Sequence, residues 1–309
     1  MKIYVGVTDF DWFKYLSLIK NIDEVNFWQP GGKTLFRALE PGELFLFKLH
    51  SPQNYIVGGG FFAHSTILPV SLAWDSFEIK NGATSLTEMR KRIEKYRRSP
   101  SSLEDYSVGC ILLEQPFFFV KDQWIPVPID WSPNIVQGKR YLMNTKLGQD
   151  LWEQVQLRLQ AYKLIVQPQY EISEPTARFG MPMLVTPRLG QGSFRVIVTD
   201  VYNRRCAVTL EKTLPALEAA HIKPYSDNGP HSIQNGILFR SDIHRLFDSG
   251  YVTITSDYRF EVSRRIRDEF ENGRDYYALQ GKNLKMPENT MMKPNVGYIT
   301  WHNDNVYKG

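Results

Sequence analysis

The periodicity of apolar and polar positions changes several times along the chain, and the changes divide it. Residues 1–8, MKIYVGVT, are a short and mostly apolar run that reads as a buried first strand. In DFDWFKYLSLI, Phe13, Leu16 and Ile19 recur at helical spacing, so a short helix is expected to pack on that strand. After a Pro-Gly-Gly turn at 30–32, ELFLFKL and YIVGGGFF read as successive strands split by the Ser-Pro turn at 51–52. The glycines at 58–60 lie inside a strand pattern and lack the GK[ST] or GxGxxG context of a phosphate loop. A bulge or a close backbone approach is their expected use. SLTEMRKRIEKYRR places Leu86, Met89, Ile93 and Tyr96 on one helical face with basic residues opposite, and CILLEQPFFFV and QWIPVPI return to strands.

Residues 142–160 have the spacing of a helix with a Leu151, Val155, Leu159 stripe, and residues 161–192 then turn Pro-, Gly- and polar-rich with no period. This places a first domain at 1–160, a linker at 161–192 and a second domain at 193–309. Strands closing on themselves with small flanking helices predict a compact, β-barrel-like α+β first domain. The second opens with Ser193 as the expected N-cap of a helix carrying Phe194, Ile197, Val198 and Val201 on one face and Arg195, Arg204 and Arg205 outward. Beyond the stretch described next, YVTITSDYRFEVS reads as a hairpin and RRIRDEFENG as a helix.

The chemistry concentrates in Leu217–Gly250. This stretch reads as a strand holding His221, a polar loop, a second strand after Asn235, and a helix carrying His244 and Asp248. Phosphodiester hydrolysis needs a base to deprotonate water and a divalent cation to neutralise charge on the phosphate and the departing oxygen. A neutral imidazole, with an ordinary pKa of about 6.5, suits the first task near neutral pH. Residues four apart on a helix share a face, so His244 and Asp248 are positioned to grip one cation. A single histidine is as readily a structural residue; the ordered set of His221, Asn235 and His244 on strand, loop and helix carries the reading.

Composition adds little. A chain of 309 residues holds two domains, and its 42% hydrophobic and 23% charged content is that of ordinary globular protein. A formal net charge of +4 permits nucleic-acid binding without demonstrating it. The two cysteines, Cys110 and Cys206, are too far apart in sequence to form a CxxC zinc knuckle or suggest a disulfide framework. No signal peptide opens the sequence and no apolar run approaches the ~20 residues of a membrane span, so a soluble cytoplasmic protein is expected.

Residues 205–309, from RRCAVTLEKTLPALEAAHI through NGILFRSDIHRLFDSGYVTIT to WHNDNVYKG, resemble the bacterial HNH endonucleases. The resemblance implies a ββα-metal site with one divalent ion, Mg²⁺ or Mn²⁺, in which His221 activates water, Asn235 orients the loop and His244 holds the metal. Many HNH sites place an Asp or His ligand immediately before the base, where this chain has Ala220; strand alternation puts Glu218 on that same face as the substitute. Arg204, Arg205, Arg240 and Arg245 are the candidate DNA contacts.

VGVTDFDWF, EVNFWQPGG, LFRALEPGELFLFKLHSPQNYIVGGGFF and AWDSFEIKNGA resemble the EVE domain, a PUA-like reader, in the form fused to HNH nucleases. This implies a flipped base held in an aromatic cage, for which Trp12, Trp28, Phe62 and Trp74 are the candidates, with Asn26, Arg37, His50 and Ser51 as polar neighbours. Together the two resemblances imply a modification-dependent endonuclease acting on double-stranded DNA that carries 5-methyl- or 5-hydroxymethylcytosine. Cutting both strands with one site per chain implies a homodimer or transient pairing on DNA. Two alternatives stand beside it: a nucleic-acid binding protein whose nuclease fold has lost its metal, and a nuclease with an RNA-reading first domain.

Overall fold

A computed structural model describes residues 1–97, 105–166 and 189–309, with the backbone path alone for 161–166. The chain divides into two compact units, Met1–Pro187 and Arg188–Gly309. The segment expected as a linker lies largely outside the described residues; its first part, to Val166, continues the preceding helix instead. No helix among the described residues is long and apolar enough to cross a membrane.

The first unit is built on β1 (Lys2–Thr8), β2 (Glu24–Gln29), β3 (Leu44–Leu49), β4 (Tyr55–Pro69), β5 (Ser107–Phe118), β6 (Ile125–Pro126) and β7 (Gly138–Leu142). They form one sheet in the order β2-β5-β4-β3-β1-β7, with β6 added beside β4. β1 and β3 run parallel, and every other pairing is antiparallel. Among the described residues four α-helices accompany it: α1 (Phe10–Leu16), α2 (Val70–Phe77), α3 (Leu86–Tyr96) and α4 (Lys146–Val166). The N-caps explain two of their starts, since Asp9 accepts from the Asp11 amide and Ser85 from the Glu88 amide.

The stripes expected on α3 and α4 point inward at Met89, Ile93, Leu151 and Val155, all buried, whereas Tyr96 is exposed. QWIPVPI yields only the two residues of β6, because its prolines cannot donate to a ladder. Gly58–Gly60 confirm a close approach: a Cβ on Gly58 would lie 2.2 Å from the Phe117 carbonyl oxygen, and one on Gly59 2.6 Å from that of Phe45.

The second unit contains α5 (Gln191–Val201), β8 (Leu217–His221), β9 (Gly236–Arg240), α6 (Ser241–Asp248), β10 (Val252–Ile254), β11 (Phe260–Val262), α7 (Arg265–Phe270), α8 (Arg274–Tyr277) and α9 (Val296–Asn305). β8 and β9 pair antiparallel with His221 opposite Gly236, and β10 and β11 form the expected second hairpin. Helix α5 starts two residues before the expected cap. Gly190 is the N-cap, and Ser193 is a fully buried interior residue. One core cluster joins Phe194 and Val198 of α5 to Ile237, Leu238 and Phe239 of β9 and to Ile243 and Phe247 of α6. Each such side chain stabilises the unit by roughly 1.5–3 kcal/mol relative to exposure. Together they pin α5 and α6 to the ribbon that carries the polar residues.

Candidate active site

β8, β9 and α6 form a strand–strand–helix unit in which α6 begins at Ser241, directly after β9 ends at Arg240. An open cavity of about 490 Å³ lies against it, lined among others by Phe194, Arg195, Glu218, His221, Tyr225, His244 and Asp248. The structure therefore brings together His221, His244, Asp248 and Glu218 as expected, with Asn235 behind them.

Asn235 is fully buried and makes no approach to the cavity. Its Oδ1 accepts from the Lys223 amide at 2.9 Å, and its Nδ2 donates to the carbonyls of Lys223 and Pro230, each at 2.9 Å. One side chain thus closes the loop from 223 to 230 and fixes the end of β8 where His221 projects. Its contacts are those of a residue that holds the loop in place.

His221 is held by stacking: its ring lies 3.8 Å from that of Phe194, nearly parallel. Its Nε2 is 2.9 Å from Nδ1 of His231, and the His231 ring stacks on Tyr225. Burial, aided by the neighbouring His231 and His244, pushes the His221 pKa down to about 4, so the ring is neutral and retains a lone pair at neutral pH.

His244 stands between two carboxylates. Its Nδ1 is 2.7 Å from Glu218 Oε2 and its Nε2 is 3.2 Å from Asp248 Oδ2, one helical turn on. Burial, reinforced by the charge of Glu218, raises the Asp248 pKa against the opposing pull of His244. Glu218 lines the cavity, and the small Ala220 is buried in the core cluster. Glu218 contacts the imidazole rather than joining a three-donor cluster, and among the described residues no group of three His, Cys, Asp or Glu side chains is arranged to enclose a metal ion.

The donor chemistry still suits a hard divalent cation. As a metal ligand His244 would have to be neutral, with one proton, so it would donate to only one of its two carboxylates and offer its other nitrogen's lone pair to the cation. Ions of the magnesium type take one or two protein carboxylates and complete their shell with water and substrate phosphate. His244 and Asp248 are the residues that would hold such an ion, and Glu218 would orient the His244 ring.

The candidate DNA contacts fare unevenly. Arg240 donates through Nε and Nη2, one edge of its guanidinium, to the two oxygens of Asp242 at 2.6 and 2.7 Å, and Arg204 pairs with Asp200 at 3.0 Å. Arg205 is half-buried, and Arg245, beside His244, is exposed. Arg195, expected to face outward, lines the cavity instead. His231, Tyr225 and His302 were not singled out by the sequence reading; the first lies only four residues before Asn235, in HSIQN.

His302 is 2% exposed, stacked on Phe247, and bonded through Nε2 to the Phe247 carbonyl and through Nδ1 to Thr253. Burial pushes its pKa down to about 4. In the unfolded chain it titrates near 6.5, so between these values the unfolded state binds the extra proton. Stability present above pH ~6.5 should therefore be lost as pH falls toward 4, by about 3 kcal/mol from this residue. Denaturant unfolding of the wild type and His302→Gln at pH 7 and pH 4.5 checks it: the variant should lose markedly less on acidification, and equal losses would exclude His302 as the source.

In the first unit, Trp12 (2% exposed) and Phe62 (5%) belong to one core cluster. Trp28 is half-buried against that cluster and donates from Nε1 to the Asn81 carbonyl at 3.0 Å, while Trp74 is half-buried on α2. Trp12 and Phe62, expected in a cage open to a base, are instead closed into core packing. Asn26, fully buried, donates to Asn81 Oδ1 at 2.9 Å.

Residues 206–255 match the HNH endonuclease family. A comparison with curated proteins found no match. Among solved structures, an ASCH protein from Zymomonas mobilis aligns with 49% of this chain and 94% of its own, at 10% identity and a TM-score of 0.32. A modification-dependent restriction endonuclease, TagI, aligns with 97% of this chain and 81% of its own, at 13% identity and a TM-score of 0.30. The strand–strand–helix unit with its ordered His, Asn and His falls within the residues that match the HNH endonuclease family, inside the second unit.

Proposed function

We propose that the chain is a modification-dependent DNA endonuclease, in which the first unit binds a modified cytosine and the second hydrolyses the phosphodiester backbone. The observation that carries the nuclease part is the shared cavity, where a neutral His221 faces the same space as His244 and Asp248. In the reaction, His221 takes a proton from water, the water oxygen bonds to phosphorus, and the bond from phosphorus to the departing oxygen breaks, that oxygen being protonated from solvent. A divalent ion, when bound, supplies positive charge to the phosphate. Arg195 adds a cation on the cavity wall, where the phosphate would lie. One site per chain means that two chains, or two visits, cut both strands.

For the reader, the support lies around Asn81 and Gly82. Among the described residues Trp12 Nε1 and Asn26 Oδ1 are buried with no hydrogen-bond partner, Gly82 packs directly against the Trp12 indole, and Trp28 bonds to Asn81. A buried donor and a buried acceptor left open cost stability unless something fills them. Trp12 and Asn26 are closed to a base in this structure, and the half-buried Trp28 is the candidate ring to stack on one.

The test is one plasmid, prepared with and without modified cytosine and incubated with the protein and Mg²⁺ or Mn²⁺. Cutting of the modified plasmid alone supports the proposal. Binding without cutting would make the chain a reader only, and indifference to modification would remove the DNA-reading role of the first unit. Within the same assay, Trp28→Ala or Trp74→Ala should lose about 1–3 kcal/mol of base stacking, roughly 5- to 150-fold in affinity for modified DNA, with weak salt-sensitive binding retained. Trp12→Ala should instead cost ~3–5 kcal/mol of fold stability. Melting temperatures measured alongside separate the two: early melting of Trp28→Ala with loss of both kinds of binding would return Trp28 to the core.

A further inference from the structure

Nothing in the nuclease reading explains His231, yet it makes the only hydrogen bond seen on the His221 ring among the described residues, Nε2 to Nδ1 at 2.9 Å. A bond between two imidazole nitrogens holds one proton, and its direction decides what His221 can do. If His231 Nδ1–H donates, a neutral His221 carries its own proton on Nδ1 and has no lone pair left with which to accept one from water. If His221 Nε2–H donates, its Nδ1 lone pair is free.

The placement favours the second arrangement. His221 lines the cavity and His231 does not, so Nδ1, the ring nitrogen not taken up by His231, is the one left for water and phosphate. The two rings are also kept from swinging apart: Phe194 stacks on His221 at 3.8 Å and 13°, and Tyr225 on His231 at 5.0 Å and 15°. His231 is held in turn by the chain between Pro230 and Asn235, the first of which is bonded by the Asn235 side chain.

We propose that His231 is a positioning residue of the nuclease site: its Nδ1 accepts the Nε2 proton of His221 and so fixes His221 in the tautomer whose Nδ1 lone pair faces the cavity. This rests on the reading of His221 as the base. When His221 accepts the water proton on Nδ1, its Nε2–H becomes a charged donor, and a hydrogen bond from a charged donor is roughly twice as strong as a neutral one. His231 thus holds the base in readiness and stabilises its conjugate acid. That is the part a carboxylate plays behind the histidine of a hydrolase triad.

Two measurements test it. Single-turnover cleavage of DNA should fall about 10- to 100-fold in His231→Ala, by analogy with the loss of groups that orient metal-bound histidines, with DNA affinity unchanged. His231→Gln, whose amide oxygen can accept the same proton, should recover most of the rate, and His231→Lys, which only donates, should not. A structural role would rank the variants by stability instead, so each is also melted. The second measurement needs no DNA: nitrogen-15 NMR of the six histidines, with His221 assigned by its loss in His221→Gln, should show His221 as the Nε2–H tautomer. Finding the proton on Nδ1, or full cleavage by folded His231→Ala, overturns the proposal. Full cleavage by His221→Ala would instead sink the reading of His221 as base, which the tautomer result leaves untouched.

Discussion

His221→Ala is expected to lower the cleavage rate by about 10²- to 10⁴-fold, the usual loss on removal of a general base, while DNA binding stays nearly unchanged. The ring projects from the end of β8 into the cavity, and its neutrality follows from burial beside two other histidines. A pKa near 4 in the free protein leaves the lone pair available at neutral pH but makes it a weak base; an anionic phosphate entering the cavity opposes that depression and raises its basicity. The affinity for DNA rests elsewhere, on phosphate contacts from Lys and Arg. Gel-shift binding and cleavage measured on the same preparation decide the matter. A folded His221→Ala that cuts modified DNA at the wild-type rate would make His221 structural and end the mechanism proposed above.

The nuclease site was the most legible part of the sequence because its information is local. His221, Asn235 and His244 fall within some two dozen residues with Asp248 one helical turn on, and their element types follow from short-range pattern: β8 ends at His221, β9 begins directly after Asn235, and α6 spans Ser241–Asp248. What escaped were features set by tertiary placement. Phe194 reads as a core residue of an amphipathic helix and is one, yet the same ring also stacks on His221. Arg195 follows it on α5 and would be solvated on a lone helix, but here α5 borders the cavity. Glu218 is picked out by strand alternation, but its bond to the His244 imidazole is set by how α6 packs on β8.

In the first unit, β1, β3, β4 and α3 were readable as apolar runs or stripes of ordinary length. β2 was not read as a strand, since EVNFWQ mixes polar and aromatic residues and its pairing with β5 supplies the burial. The cage suffered from the same limit. Placing Trp12 near a chain turn suggested exposure, but α1 folds it inward onto Phe27 and Phe47, at ring separations of 5.5 and 5.1 Å. An indole at a loop boundary has no sequence mark that separates the two outcomes.

Loss of the His244 imidazole should shift the metal dependence of cleavage to higher concentration, by at least 10- to 100-fold in the Mn²⁺ midpoint, the range found even for groups that only orient a ligand. His244 is the pivot of its set: Glu218 holds Nδ1 at 2.7 Å and Asp248 lies 3.2 Å from Nε2. Removing the ring leaves two carboxylates with nothing between them. Asp248→Ala should produce a shift of the same kind, because its carboxyl is partly desolvated and gains from a cation's charge. The double variant should be no worse than whichever single loss is indispensable, since residues acting as a unit are not additive. Glu218→Gln isolates the orienting part: the amide keeps an oxygen to accept from Nδ1–H but loses the charge, so its shift should be smaller than that of His244→Ala. Titrating Mn²⁺ against each variant, with calorimetric binding of Mn²⁺ to the free protein as the readout that needs no cleavage, orders the three. An unchanged midpoint and unchanged binding for His244→Ala would remove it from the metal site, and a Glu218→Gln defect larger than that of His244→Ala would make Glu218 a direct ligand after all.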